Sequence, residues 1–233
     1  EVSMKSQKTM ARESGKFNST KTLPYEGTDT EFLGYIDNYS SSKIVAMFKD
    51  TKEVKELKEG DEAILMLDKT PFYAESGGQV GDSGCIKTKK GKFYVQDTIK
   101  IKKNVFGHIG VLESGSFKCN EQVEASIDEN RRNDIKRNHS VTHLLHKALK
   151  IVLGDHVEQK GSLVDNLKTR FDFSHTKPIS NDEIHQIESI VNNEILTNKV
   201  TTTEMMSIDK AKESGALMLF GEKYDSEVRV LNI

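Results

Sequence analysis

Cysteine is scarce in this chain, apolar runs are short, and neither sign of charge prevails. Two cysteines, Cys85 and Cys119, in 233 residues exclude the disulfide framework of a small secreted domain and favour a reducing, cytoplasmic compartment. No stretch reaches the ~18 consecutive apolar residues of a membrane helix. The opening EVSMKSQKTM lacks the apolar centre of a signal peptide, so no membrane partner is expected. A formal net charge of -2, from 34 Lys+Arg against 36 Asp+Glu, gives no global basic field for nucleic acid, although a local patch is still allowed. No internal repeat stands out. What is present is polar but globular: 35% hydrophobic and 30% charged residues, enough chain for one large or two ordinary domains. The first residue is Glu1 and the last, Ile233, falls in strand-like sequence, so both ends read as cuts.

Three regions are expected. Residues 1–25 are polar and read as a linker or helix remnant. Residues 26–127 carry short apolar stretches, such as Lys43–Phe48, Glu62–Leu67, Lys92–Val95 and His108–Leu112, separated by turn residues. That spacing predicts a small antiparallel β-barrel. Residues 128–233 read as an α+β domain, truncated at its C-terminal end, with helices packed on an antiparallel sheet. A helix over 130–153 ends at Gly154. Strands follow near 160–164 and 167–174, with Leu167, Thr169, Phe171 and Phe173 on one face. Ser180-Asn181-Asp182-Glu183 is a capping box. It opens a helix with a stripe of Ile184, Ile187, Val191 and Ile195.

Two motifs carry chemistry. His139-Ser140-Val141-Thr142-His143 places two imidazoles one helical turn apart, within reach of one metal ion. Stepping ~100° per residue puts His143 about 40° and His146 about 20° from His139, while Val141, Leu144, Leu145, Ala148 and Val152 lie roughly opposite. The histidines thus avoid the main apolar stripe, which predicts a cleft-facing or solvent-facing role. The position after His139 is Ser140 rather than Glu, which argues against a zinc protease. Arg131, Arg132, Lys136 and Arg137 open the same helix and read as a solvated face or as phosphate contacts. The second motif, Thr70 to Gly84 (TPFYAESGGQVGDSG), has four glycines in eight residues, a backbone able to turn tightly and approach a ligand closely. It matches neither a Walker loop nor a dinucleotide fingerprint.

TPFYAESGGQVGDSG, followed by RNHSVTHLLHKAL, GDHVEQKGSLV, RFDF and FGEKYDSEVRVLNI, resembles the editing region of alanyl-tRNA synthetase, from about residue 25 onward. Free-standing alanyl-tRNA editing proteins share these motifs, and the threonyl-tRNA synthetase editing domain is similar more distantly. The resemblance implies an editing-domain fragment that hydrolyses mischarged Ser-tRNA(Ala) or Gly-tRNA(Ala). The parent would carry out alanine-tRNA ligation with ATP and Mg outside this chain. It implies zinc ligands at His139 and His143, with a further Cys and His in a CxxxH beyond Ile233, so that only a half-site is present here. Thr142 and Gln159 are the implied catalytic residues. Gln79, Gly77, Gly78, Arg170 and Asp172 are implied to receive substrate, with the acceptor end of tRNA(Ala) as partner. A free-standing deacylase and a non-catalytic tRNA-binding module are the alternatives.

Overall fold

The computed structural model describes residues 23–216 and 226–232. The expected linker therefore lies outside the described residues up to position 22, as do 220–225 and 233 of the FGEKYDSEVRVLNI motif. By contact density the chain divides into two units. Of the described residues, one holds 23–76 and 80–132, the other 77–79, 133–216 and 226–232.

Six strands build the barrel of the first unit: β1 (Tyr39–Lys49), β2 (Glu62–Leu67), β3 (Gly84–Lys87), β4 (Gly91–Lys102), β5 (Val105–Lys118) and β6 (Gln122–Ile127). They hydrogen-bond in the order β6-β3-β4-β5-β2-β1, and β6 pairs back onto β1 through Gln122↔Lys43 to Ser126↔Tyr39. Every one of these pairings is antiparallel, so the sheet closes as the sequence predicts. Closure removes the exposed edges an open sheet would carry. Alternating side chains fill the interior: Ile44, Met47, Leu65, Leu67, Phe72, Phe93, Leu112 and Phe117 are fully buried in one cluster. Each such side chain contributes roughly 1.5–3 kcal/mol of burial.

β4 and β5 run far beyond the expected apolar stretches. Register shifts at Lys92/Phe93, Val95/Asp97 and Lys100/Lys102 interrupt strict alternation, which hides the strand from a period-two reading. Conversely, the apolar run from Phe32 to Ile36 is mostly turn. Only Glu31–Phe32 is extended, pairing in parallel with Lys69–Thr70.

In the second unit, helix α1 (Glu129–Leu153), whose first turns belong to the first unit, leads into the antiparallel pair β7 (Gln159–Val164) and β8 (Thr169–Phe173). Helix α2 (Asn181–Thr197) follows with both halves of the predicted capping box formed at Ser180 and Glu183. A second antiparallel pair, β9 (Thr202–Ser207) with β10 (Glu227–Asn232), holds the short α3 (Ile208–Glu213) between them in sequence. Ala148 and Leu149 of α1, Val157 and Ile187 of α2 form a core, with Phe171 and Phe173 packed against it. These are helices on antiparallel sheet, the expected class.

Two local expectations differ. Leu167 does not share the Phe171 face: it lies in the turn that Asp165 makes by accepting from the backbone N–H groups of Leu167 and Lys168, and it is 85% exposed. Of the α2 stripe, Ile187 is buried while Ile184 and Ile195 stay exposed.

Candidate functional site

The site is built within the second unit, on the face of α1 that carries the histidines. His139 and His143, four residues apart, stack with ring centroids 5.1 Å apart and planes 18° apart. The Nδ1 of His139 lies 2.6 Å from the Oε1 of Gln79. Gln79 reaches it because the short glycine run is woven into β7: Gln79 bridges Val164 in parallel, and the Val164 N–H donates to the Gly78 carbonyl at 2.8 Å. Gly77 and Gly78 have φ of 58 and 82, the left-handed region that favours glycine. A Cβ at Gly78 would stand 2.6 Å from the Ser162 carbonyl oxygen, so this approach requires glycine twice over.

Thr142 is buried. Its hydroxyl lies 2.8 Å from the Asn138 carbonyl, to which it donates, and 2.6 Å from the Thr169 hydroxyl of β8. The Asn138 side-chain amide donates to the Asp165 carbonyl. His146 is buried against Phe171, ring centroids 5.0 Å apart. The histidine face is therefore neither open to solvent nor a free cleft wall along its whole length. Sequence periodicity identified the face opposite the apolar stripe; it could not show that β8 covers part of it. Among the described residues, the His146 Nε2 and the Gln159 Oε1 are buried without a hydrogen-bond partner.

Burial pushes all three imidazoles toward the neutral form. His139 and His146 lie below the usual histidine range, each chiefly through desolvation, and His143 falls to about 4 through desolvation and its histidine neighbours. Neutral imidazole is the form that ligates a metal. Two imidazoles make at most half of a zinc coordination sphere, and the described residues contain no group of three or more His, Cys, Asp or Glu able to hold an ion.

The remaining predicted residues divide. Gln79, Gly78, His139, His143 and Thr142 gather around one stretch of α1 and β7. Gln159 opens β7 and is buried. Arg170 and Asp172 are exposed and alternate with Thr169 and Phe171 along β8; they pair with each other, Nε to Oδ2 at 3.2 Å. They do not join the residues around Thr142.

Within the first unit, the basic start of α1 holds a pairing that sequence reasoning missed. Arg132 is buried and its Nε donates to both carboxylate oxygens of Asp82, at 2.8 and 2.9 Å, while Nη2 donates to the Asp82 Oδ2. It also donates to the carbonyls of Gly34 and Pro71, and Asp82 accepts from the Tyr73 N–H. Arg131 donates to the Gly81 carbonyl. Arg132 is therefore neither solvated nor a free phosphate ligand, whereas Lys136 and Arg137 further along the helix are exposed. The available signal was an aspartate inside the glycine-rich run, with no aid to name its partner 50 residues away.

A family model described as tRNA synthetases class II (A) matches residues 1–131. The chain belongs to that family of aminoacyl-tRNA synthetases. Its similarity to curated proteins falls on alanine–tRNA ligases. Those of Delftia acidovorans and Methylobacillus flagellatus are each 52% identical over 233 residues, covering 100% of this chain and 27% of those proteins. That of Burkholderia cenocepacia is 51% identical over 231 residues, 99% of this chain and 26% of that protein. The chain thus spans about a quarter of the length of the relatives it matches. The family match overturns the editing assignment. The barrel and the whole glycine-rich run lie inside the stretch that the synthetase model itself accounts for, so they mark the synthetase family and do not set apart a deacylase. No described helix is long and apolar enough to cross a membrane.

Proposed function

We propose that this chain is a segment of an alanine–tRNA ligase and serves the joining of alanine to tRNA(Ala). One observation carries the reading: about half of its residues are identical to those of alanine–tRNA ligases from one end of the chain to the other. ATP with Mg2+ drives that ligation in the parent, and the acceptor end of tRNA(Ala) is the partner. A cytoplasmic location belongs to the same reading, in keeping with Cys85 and Cys119 as free thiols. The full-length parent should charge tRNA(Ala) with radiolabelled alanine and leave other amino acids uncharged. Preferential charging with any other amino acid overturns the assignment.

A second reading concerns His139 and His143. Burial favours the neutral form of both; they stand one turn apart, stacked, and fit half of a divalent metal site. Zinc bound there would supply a Lewis acid or a structural clamp. Titrating the parent with Zn2+ should shift the ring signals of both histidines. Unmoved signals remove the metal from the reading.

A further inference from the structure

The contact between Gln79 and His139 assigns a task to the glycine-rich run that neither the family match nor the histidine spacing supplies. A neutral imidazole carries one proton, on either nitrogen, and the partner of one nitrogen decides what the other presents. The Gln79 Oε1, 2.6 Å from the His139 Nδ1, is an acceptor only. It therefore favours the proton on Nδ1 and leaves an electron pair on Nε2. Three features hold the amide there. Gly77 and Gly78 adopt left-handed backbone, the Val164 N–H donates to the Gly78 carbonyl, and Gln79 bridges Val164. Gln79 itself is buried, where an unpaired amide oxygen would be costly.

We propose that Gln79 is a positioning residue: it sets the tautomer of His139 and so leaves Nε2 of that ring, which stacks on the His143 ring, as the nitrogen able to donate to a divalent cation. The metal half of this statement rests on the metal reading above; the tautomer half does not. Metal-ligating histidines commonly owe orientation and basicity to such a partner on the other nitrogen.

The test is nitrogen-15 NMR of the histidine rings in the 233-residue chain at neutral pH, without and then with Zn2+. His139 should show the Nδ1–H tautomer. Gln79→Met, of similar volume and without an acceptor, should lose it, while Gln79→Glu, which keeps an acceptor oxygen, should retain it. Backbone amide spectra of the variants report whether the fold is kept. An Nε2–H tautomer in the unmodified chain, as a reversed Gln79 amide would impose, overturns the proposal. So does an unchanged tautomer in a folded Gln79→Met. On adding Zn2+, Gln79→Met should bind at least about tenfold more weakly; equal affinity overturns the positioning role toward metal. If Zn2+ moves neither imidazole while the tautomer results hold, the metal reading fails and the control of His139 by Gln79 stands.

Discussion

The two units treat buried polar groups in opposite ways. In the barrel they are matched atom for atom. His108 is wholly buried, with Nδ1 3.0 Å from the Leu65 carbonyl and Nε2 2.7 Å from the Thr70 hydroxyl, and that hydroxyl also accepts from the Phe72 N–H. Arg132 and Asp82 bond each other and three backbone groups, the Gly34 and Pro71 carbonyls and the Tyr73 N–H. In the second unit, His139 has a partner for one nitrogen, and the buried His146 Nε2 and Gln159 Oε1 have none. Buried polar atoms left open are expensive. The open atoms lie on α1 and at the start of β7, whereas both ring nitrogens of the barrel histidine have partners.

That contrast can be broken, and the largest lever is the barrel ion pair. Asp82→Ala leaves a buried guanidinium unpaired and should cost about 3–5 kcal/mol, read from urea unfolding of the first unit. A loss under 1 kcal/mol would show that the ion pair does not hold the barrel together. Next comes acid. His108 titrates at about 4 because it is buried, against ~6.5 in the unfolded chain. The unfolded state therefore binds more protons between these values, and stability falls as pH drops from about 6.5 toward 4. The lowered pKa accounts for on the order of 3 kcal/mol at the acid end. His143 adds a smaller contribution of the same sign because it is only half-buried. His108→Phe should reduce the acid slope in denaturation midpoints, leaving the part that His139, His143 and His146 contribute with the same sign; an undiminished slope would show that burial of His108 does not set it.

Smaller effects sharpen the second unit. Gly78→Ala meets both a left-handed backbone and the Ser162 carbonyl and should cost about 1–3 kcal/mol. Gly60→Ala shares the positive φ but faces open space, so it should cost less; equal losses would mean that the close approach to Ser162 carries no weight. Thr142→Val strands the Thr169 hydroxyl and should lose about 1 kcal/mol in thermal unfolding. No measurable change would mean that the contact between Thr142 and Thr169 is not stabilising.

The barrel and the α+β class were legible because closure needs only strands, turns and alternation, and these are local. Glu183 three residues after Ser180 announced its helix start for the same reason. What stayed hidden was non-local. Asp82 with Arg132 and Gln79 with His139 are separated by 50 and 60 residues, and no spacing rule links them. The pair of histidines was visible as a helical i,i+4 pattern. That His146 and Thr142 are covered was not, because helical periodicity marks the two faces of α1 without saying what lies on each. The editing assignment failed for another reason. A long shared motif identifies relatives, and the glycine-rich run lies within the synthetase family match over residues 1–131, which needs no deacylase to explain it.

The return of residues 77–79 to the second unit also limits how the molecule can be dissected. A polypeptide begun at Asn133 would inherit both stacked imidazoles but not the amide that faces one of them. No single scission of the gene yields that unit whole. Its minimal complementing partner is a peptide spanning the glycine run, and reassembly of the two pieces would be visible as the recovery of one hydrogen bond.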